Sequence, residues 1–502
     1  MIYKLPKGSM HMRTMLIFLA VFFITLPAYC GTNFSPKNIK DKNKATSRTT
    51  ATIKTDVKEV QKASIPAWES EVKKEVKPQA EKQVEKSEVK KEVKTKAEKQ
   101  AYGGDGEIVS TSPYSGQADK ALLDEKTRSI QVPREGGVGY GVMREKMVRV
   151  KLDSNIAYDD NIFLTKDNTQ HDIVSTISPG VYGYIGNDQY TAMGFYEAEV
   201  LIYARNGNED RVNQVLGGRV DLFKQGRIKL SVQDALRPTT DPATSEVAPF
   251  VKRVNNDFTA NVRYDISPKT SLAITYDQYM QYYITESYKQ FSYIQHTVSP
   301  VVYYHITPKI SLTGEYNLGM TNYMGGANYN SLFNQVRFGV EGTLSPKSRV
   351  YLRAGYQYRH YYDSDSKNTQ GGVLQLGYDY LISPKTSLNL IASSDINESV
   401  WNYNPYYNSY NFYASLTHHI LYNLDVSVNG LYLISNYPHD VNSVDGMRKR
   451  SDNLYGAGAR VSYNMRTWLS AYAAYDFKYR NSNIRDLSYT DDIISGGLRL
   501  SF

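Results

Sequence analysis

From Met147 to the end of the chain, apolar and polar residues alternate with a period of two. In 467–480, Leu469, Ala471, Ala473, Tyr475, Phe477 and Tyr479 share one parity, and Ser470, Tyr472, Asp476, Lys478 and Arg480 share the other. The last segment sets Ile494, Leu498, Leu500 and Phe502 against Asp491, Ser495 and Arg499, and Phe258, Val262, Tyr264 and Ile266 oppose Asn261, Arg263 and Asp265 in the same way. A spacing of two puts each set on one side of a β-strand. About 18 such segments fit between 147 and 502, with 16 as the alternative count.

The links between segments alternate in length. Four short ones repeat one motif: Ile266-Ser-Pro-Lys269, Ile306-Thr-Pro-Lys309, Leu344-Ser-Pro-Lys347 and Ile382-Ser-Pro-Lys385. Proline presets the turn's first central residue and cannot continue a ladder, so each motif predicts a tight hairpin. The intervening links, such as 237–252, 322–332, 397–408 and 435–451, are longer and polar. Short turns on one rim and long loops on the other are the asymmetry of outer-membrane barrels. An even strand number leaves both ends of the barrel on the short-turn side.

Alternation alone does not say which face meets water. Strands of about 10–14 residues, rising ~3.3 Å each and tilted ~40°, span roughly 25–35 Å, the height of a bilayer's apolar band. Soluble strands average only about five or six residues. The other face carries charges and glycines, too polar for a dry core. Tyr282, Tyr283, Tyr303, Tyr304, Tyr361, Tyr362, Tyr406 and Tyr407 stand near strand ends, where an aromatic belt would meet headgroups. A closed sheet leaves no backbone unpaired in lipid. The pattern therefore predicts an all-β, closed, antiparallel, up-and-down transmembrane β-barrel over 147–502.

Composition refines this picture. Mean hydropathy is -0.50, as expected when only one face of each strand is apolar. No stretch after residue 30 offers the ~18–20 apolar residues of a membrane helix. The one long apolar run, Met15 to Ala28 behind Lys7 and Arg13, predicts a signal peptide over 1–30. Cys30 is the sole cysteine. It invites a lipoprotein reading, which Tyr29, too large for the position before a lipidated cysteine, opposes. Residues 31–135 form a Lys/Glu-rich low-complexity tract in which 70–83 recurs almost verbatim as 87–100. Such a tract buries too little apolar surface to offset its ordering entropy and reads as a disordered periplasmic tether. A Gly-rich junction follows at 136–146. The net charge of +8 falls before residue 147, where 27 Lys+Arg face 18 Asp+Glu, against 32 and 33 beyond it. The folded part thus gives no basis for nucleic-acid binding.

The stretch LDSNIAYDDNIF (152–163), the SPKTSL turns starting at Ser267 and Ser383, and the ending GLRLSF (497–502) resemble the putative β-barrel porin 2 family of Gram-negative outer-membrane proteins. The resemblance covers 147–502. It implies an outer-membrane address and a passage role, in several relatives connected with extracellular polysaccharide, and brings no catalytic residues. Phe502 resembles the terminal signal read by the barrel-assembly machinery.

Passage or export is accordingly the leading function, with polar solutes, anionic ones such as polysaccharide included, as cargo. By the alternation Arg219, Arg263, Arg337, Arg353, Arg460 and Arg499 point inward, with Asp265, Glu341, Asp379 and Asp476. Guanidinium groups favour carboxylates and phosphates; the same charges could instead pair across neighbouring strands. Inward Tyr351 and Tyr472 could stack on sugar rings. Asp159 and Asp160 end the first strand and Asp491 and Asp492 begin the last, so barrel closure could gather four carboxylates around Ca²⁺. No cofactor is otherwise expected. None of the eight His accompanies a nucleophile motif, so the chain is not read as an enzyme. Expected partners are outer-membrane lipid, the barrel-assembly machinery, and peptidoglycan or polysaccharide-export components. The alternative is a non-conducting structural or adhesive barrel whose Tyr/Asn-rich loops bind a surface partner.

Overall fold

A computed structural model describes residues 147–502 apart from 242–245, 247–249, 328, 363–367, 402–403 and 444–445. The readings for the signal peptide, tether and junction lie outside the described residues. The rest forms β1 (Met147–Asp159), β2 (Asp172–Gly186), β3 (Tyr190–Tyr203), β4 (Arg211–Leu222), β5 (Ile228–Thr239) and β6 (Arg253–Ser267). There follow β7 (Thr270–Tyr283), β8 (Tyr293–Thr307), β9 (Ile310–Tyr323), β10 (Ser331–Ser345), β11 (Ser348–Tyr361) and β12 (Thr369–Ser383). The last six are β13 (Thr386–Glu398), β14 (Tyr406–Leu421), β15 (Leu424–Ser443), β16 (Gly446–Arg466), β17 (Leu469–Ser482) and β18 (Tyr489–Ser501).

Each strand pairs antiparallel with the next, and β18 returns to β1 with Lys151 opposite Ser501 and Asp159 opposite Ile493. The eighteen-stranded sheet is closed, which is what lets it stand in lipid without a bare edge. The repeated turns explain part of its register. In each, the hydroxyl of the first residue accepts the lysine backbone N–H: Ser267 from Lys269, Thr307 from Lys309, Ser345 from Lys347 and Ser383 from Lys385, all at 3.2 Å. That bond and the fixed proline φ make four copies of one tight two-residue connection. At the same rim Phe502 exchanges backbone bonds with Val150 (2.9 and 3.0 Å), and its ring stacks on Trp468. Those bonds seal the last strand onto the first.

The outward parity is apolar and exposed, with Phe338 at 69% and Ile494 at 61%. Two expectations are corrected. The link 435–451 is not a loop: β15 and β16 run on as a paired hairpin, with Asp440 opposite Lys449 and Gly446 turning at φ +101°. Polar residues on both faces suit a hairpin that projects into water, and so they imitate a loop in the sequence. The aromatic belt also takes only some of the tyrosines assigned to it. Tyr282, Tyr304 and Tyr362 face outward, whereas Tyr283, Tyr303, Tyr361, Tyr406 and Tyr407 are buried. Adjacent strand residues point to opposite faces, so a Tyr-Tyr pair gives at most one ring to the lipid side.

Candidate functional site in the barrel interior

The inward parity is polar, and its charges meet one another along the wall. Arg219 pairs with Asp221 at 2.8 Å, and Arg263 and Lys229 share Asp265 at 3.3 and 3.1 Å. Glu315, on β9, receives Arg337 from β10 and Arg353 from β11, and Arg353 also reaches Glu341 at 2.9 Å. Arg499 holds Asp153 at 2.8 Å across the β1–β18 seam, and Lys151, on the same strand as Asp153, holds it at 2.8 Å from the other side. Arg460 lies 4.0 Å over the Tyr472 ring, and Arg353 lies 4.8 Å from the Tyr351 ring. Asp379 accepts from Asn389 at 2.8 Å. Asp476 and Asn429 close over Gly458, where an added Cβ would stand 2.8 Å from the carboxylate. The interior is thus a mosaic of alternating charge rather than a file of one sign.

At the outer mouth a contact reaches across the lumen. Glu246, between β5 and β6 and 1% exposed, stands against the far side of the ring. There Ser399 Oγ donates to Glu246 Oε1 at 2.7 Å and the Val400 backbone N–H to Oε2 at 3.1 Å. Arg450, on β16, donates to the Glu246 carbonyl at 3.2 Å and to Asp452 at 2.5 and 2.9 Å. Its guanidinium is also flanked by the rings of Trp401 and Tyr437 at 4.6 and 4.7 Å. These partners stand seven to nine strands from β5 and β6 by the shorter way round a ring of eighteen, which makes them the opposite wall. Burial holds the Glu246 carboxyl above the ordinary range, and Arg450, Ser399, Val400 and Tyr437 pull it back. Next to it, Val251, Tyr283, Phe291 and Val400 form a buried apolar cluster from three inter-strand segments and one strand. Phe250 anchors the near end under Arg211, 3.9 Å from its guanidinium.

Beneath this strap lies a recess. The ladder between β12 and β13 stops at Leu374–Ser394. Beyond it the successive residues Asp395, Ile396 and Asn397 are all buried, because the end of β13 folds into the lumen. Glu398 there binds Arg359 of β11 and accepts from Tyr323 Oη at 2.8 Å and Thr321 Oγ1 at 3.2 Å, both on β9. The recess has about 30 Å³ of room, enough for about two waters, and is lined by Tyr279, Tyr293 and Phe333 with Gln295, Gln335 and Gln357. Gln335 donates to Gln357 at 3.0 Å, and Gln357 Nε2, itself buried, has no protein partner among the described residues.

Of the four carboxylates expected to converge, Asp159, Asp160 and Asp491 bring ligand atoms within 4.8 Å of one another. Asp492 turns away and accepts from Tyr475 Oη at 2.5 Å. Lys478 Nζ stands 3.7 Å from Asp491 and supplies positive charge to the cluster.

The family model described as Putative beta-barrel porin 2 matches residues 146–502. The chain belongs to that family. This is a porin-like barrel of the outer membrane, and family and fold are those of a pore rather than of an enzyme. No curated protein matches its sequence. Among solved structures it is similar to Acinetobacter baumannii OccAB4, at 11% identity and a TM-score of 0.39 over 72% of this chain and 99% of that one. Pseudomonas aeruginosa OccK2 (OpdF) matches at 8% and 0.40 over 71% and 98%. The FrpB iron transporter from Neisseria meningitidis matches at 9% and 0.37 over 68% and 62%. The likeness is that of barrel to barrel and goes no further.

Proposed function

We propose that this outer-membrane porin passes polar solutes and that the strap at Glu246 sets what passes. One observation carries the reading: Glu246 is bonded to Ser399 and Val400 on the wall opposite its own strands. A solute must slip beside the strap or displace it. A hydroxyl-rich cargo such as a polysaccharide segment would meet, beside the strap, aromatic rings that stack on sugar faces and glutamines that both donate and accept, without entering the water-sized recess. The inward arginines would favour carboxylates or phosphates on such a chain. Since most of them already hold acids, the preference for anions should be small. Residues 31–135 would then extend into the periplasm from the short-turn rim, in reach of peptidoglycan or export components, with Phe502 as the assembly signal.

A second reading has one observation in its favour. The cluster of Val251, Tyr283, Phe291 and Val400 packs apolar surface across the mouth, as in a non-conducting barrel that presents its loops to a surface partner. Planar-bilayer recording separates the two. The passage reading expects conductance steps from the intact chain and larger ones when 242–249 is deleted. Silence from both proteins would leave only the adhesive reading.

A further inference from the structure

One row on the lipid face does not suit lipid. The outward file of β5 runs Ile228, Leu230, Val232, Asp234 and Leu236, which sets a carboxylate inside an apolar file. Register places Asp234 between Gly218 of β4 and Phe258 of β6. Gly218 has no side chain with which to cover it. Asn256 Nδ2 donates to Asp234 Oδ1 at 2.7 Å, and Gln278 Nε2 to Asn256 Oδ1 at 3.4 Å. Beside them the Tyr276 hydroxyl and His296 Nδ1 are 2.8 Å apart and their rings stack. Amides give Asp234 donors but no positive charge, and among the described residues no Lys or Arg pairs with it. A carboxylate without a cation is costly in the apolar band, and such residues mark functional surfaces.

We propose that the β5–β7 face is a two-fold contact with a second copy of this chain, in which Asp234 of each barrel accepts the Tyr276 hydroxyl of the other. Two barrels inserted in the same direction can be related only by an axis along the membrane normal, and such an axis preserves height. Asp234 lies six residues above Ile228, where β5 starts, and Tyr276 lies six above Thr270, where β7 starts. Acceptor and donor are therefore level. They stand two strands apart, about 10 Å, with β6 between them. An axis beside the small outward Ala260 of β6 brings each carboxylate to the partner's phenol. A two-fold interface must be complementary to itself, and this pair meets that requirement. When His296 Nδ1 donates to the phenol oxygen, the phenol proton is left for the partner's carboxylate.

The test uses the full chain with Cys30→Ser, which removes its one cysteine. Ala260→Cys should be joined to itself by a short bis-thiol crosslinker in membranes, and Val428→Cys, exposed on β15 across the barrel, should not. Native mass spectrometry from lipid nanodiscs should give a dimer. Asp234→Leu should still give a folded barrel by heat-modifiable gel mobility, yet lower the dimer fraction by about tenfold through loss of two charge-assisted hydrogen bonds. A monomer, a crosslink at 260 no stronger than at 428, a different protein captured at 260, or a dimer that Asp234→Leu leaves intact would each overturn the proposal.

Discussion

The strap should loosen as pH rises. Docked, the Glu246 carboxyl is almost fully buried, and burial raises its pKa above the ordinary value despite the opposing pull of Arg450, Ser399, Val400 and Tyr437. Released into water, it returns to about 4.3. The docked form thus binds the proton more tightly. Docking is fully supported below the ordinary carboxylate range and weakens as pH climbs through the raised value. Each unit of upward shift makes the released fraction about tenfold larger at high pH than in acid. The other ionisable groups facing Glu246 are Tyr437, Arg450 with its partner Asp452, and Tyr283 and Tyr288, whose hydroxyls burial and the Glu246 charge push up. An arginine and an upshifted phenol stay protonated throughout. Glu246→Gln keeps an acceptor for Ser399 but faces Val400 N–H with an amide, a loss of about 1 kcal/mol. The variant should open slightly more often in acid and show no change with pH. Single-channel open probability between pH 4 and 8 reads this directly. Openings that grow rarer as pH rises, or a wild-type pH profile in Glu246→Gln, would refute the reasoning.

Three further outcomes are expected. Glu315→Gln strands Arg337 beside a neutral amide and leaves Arg353 with Glu341 alone, so the barrel should lose about 3–5 kcal/mol, seen as a lower heat-modification temperature in detergent. Gly355→Ala would put a Cβ 1.8 Å from the Val336 carbonyl and part β10 from β11, whereas Gly430→Ala meets nothing within 4 Å; folded yield should drop only for the first. Arg450→Leu leaves Asp452 buried without its cation and the Glu246 carbonyl without a donor, and should raise open probability more than Glu246→Gln does.

The wall was legible because its rule is local. A residue's parity decides lipid or lumen, and the Ser/Thr-Pro-Lys turns mark where parity restarts. The same rule reaches the ion-pair mosaic, and Glu315, which heads it, stands in plain alternation with Thr313 and Asn317. What the rule cannot give is the partner of each charge, which depends on stagger between strands. Inside the mouth parity fails altogether. Asp395, Ile396 and Asn397 are buried in succession, and no periodicity marks Glu246 among the polar residues of its segment. Arg450 lay in a stretch read as loop, although it stands on the β16 extension.

Both halves of the strap begin where a ladder stops. β5 keeps its pairing to β6 up to Thr239 but leaves β4 after Leu236, and Glu246 lies beyond that end. β13 leaves β12 after Ser394, and its end carries Ser399 and Val400 to meet it. Side chains cover both gaps: Asn213 Oδ1 accepts from Thr239 Oγ1 at 3.1 Å and from Thr240 N at 3.0 Å, and Ser394 Oγ donates to the Gly372 carbonyl at 3.4 Å. A sheet closed by eighteen ladders has no soft direction of its own, since every strand is held on both sides. On the proposed gating role, Glu246 can part from Ser399 and Val400 by exchanging a few side-chain bonds while the spanning wall stays paired. Opening the mouth then costs the Glu246 contacts and the apolar cluster around Val251 rather than any ladder bond of the barrel. The proposed gate and the wall can therefore be tuned by different residues.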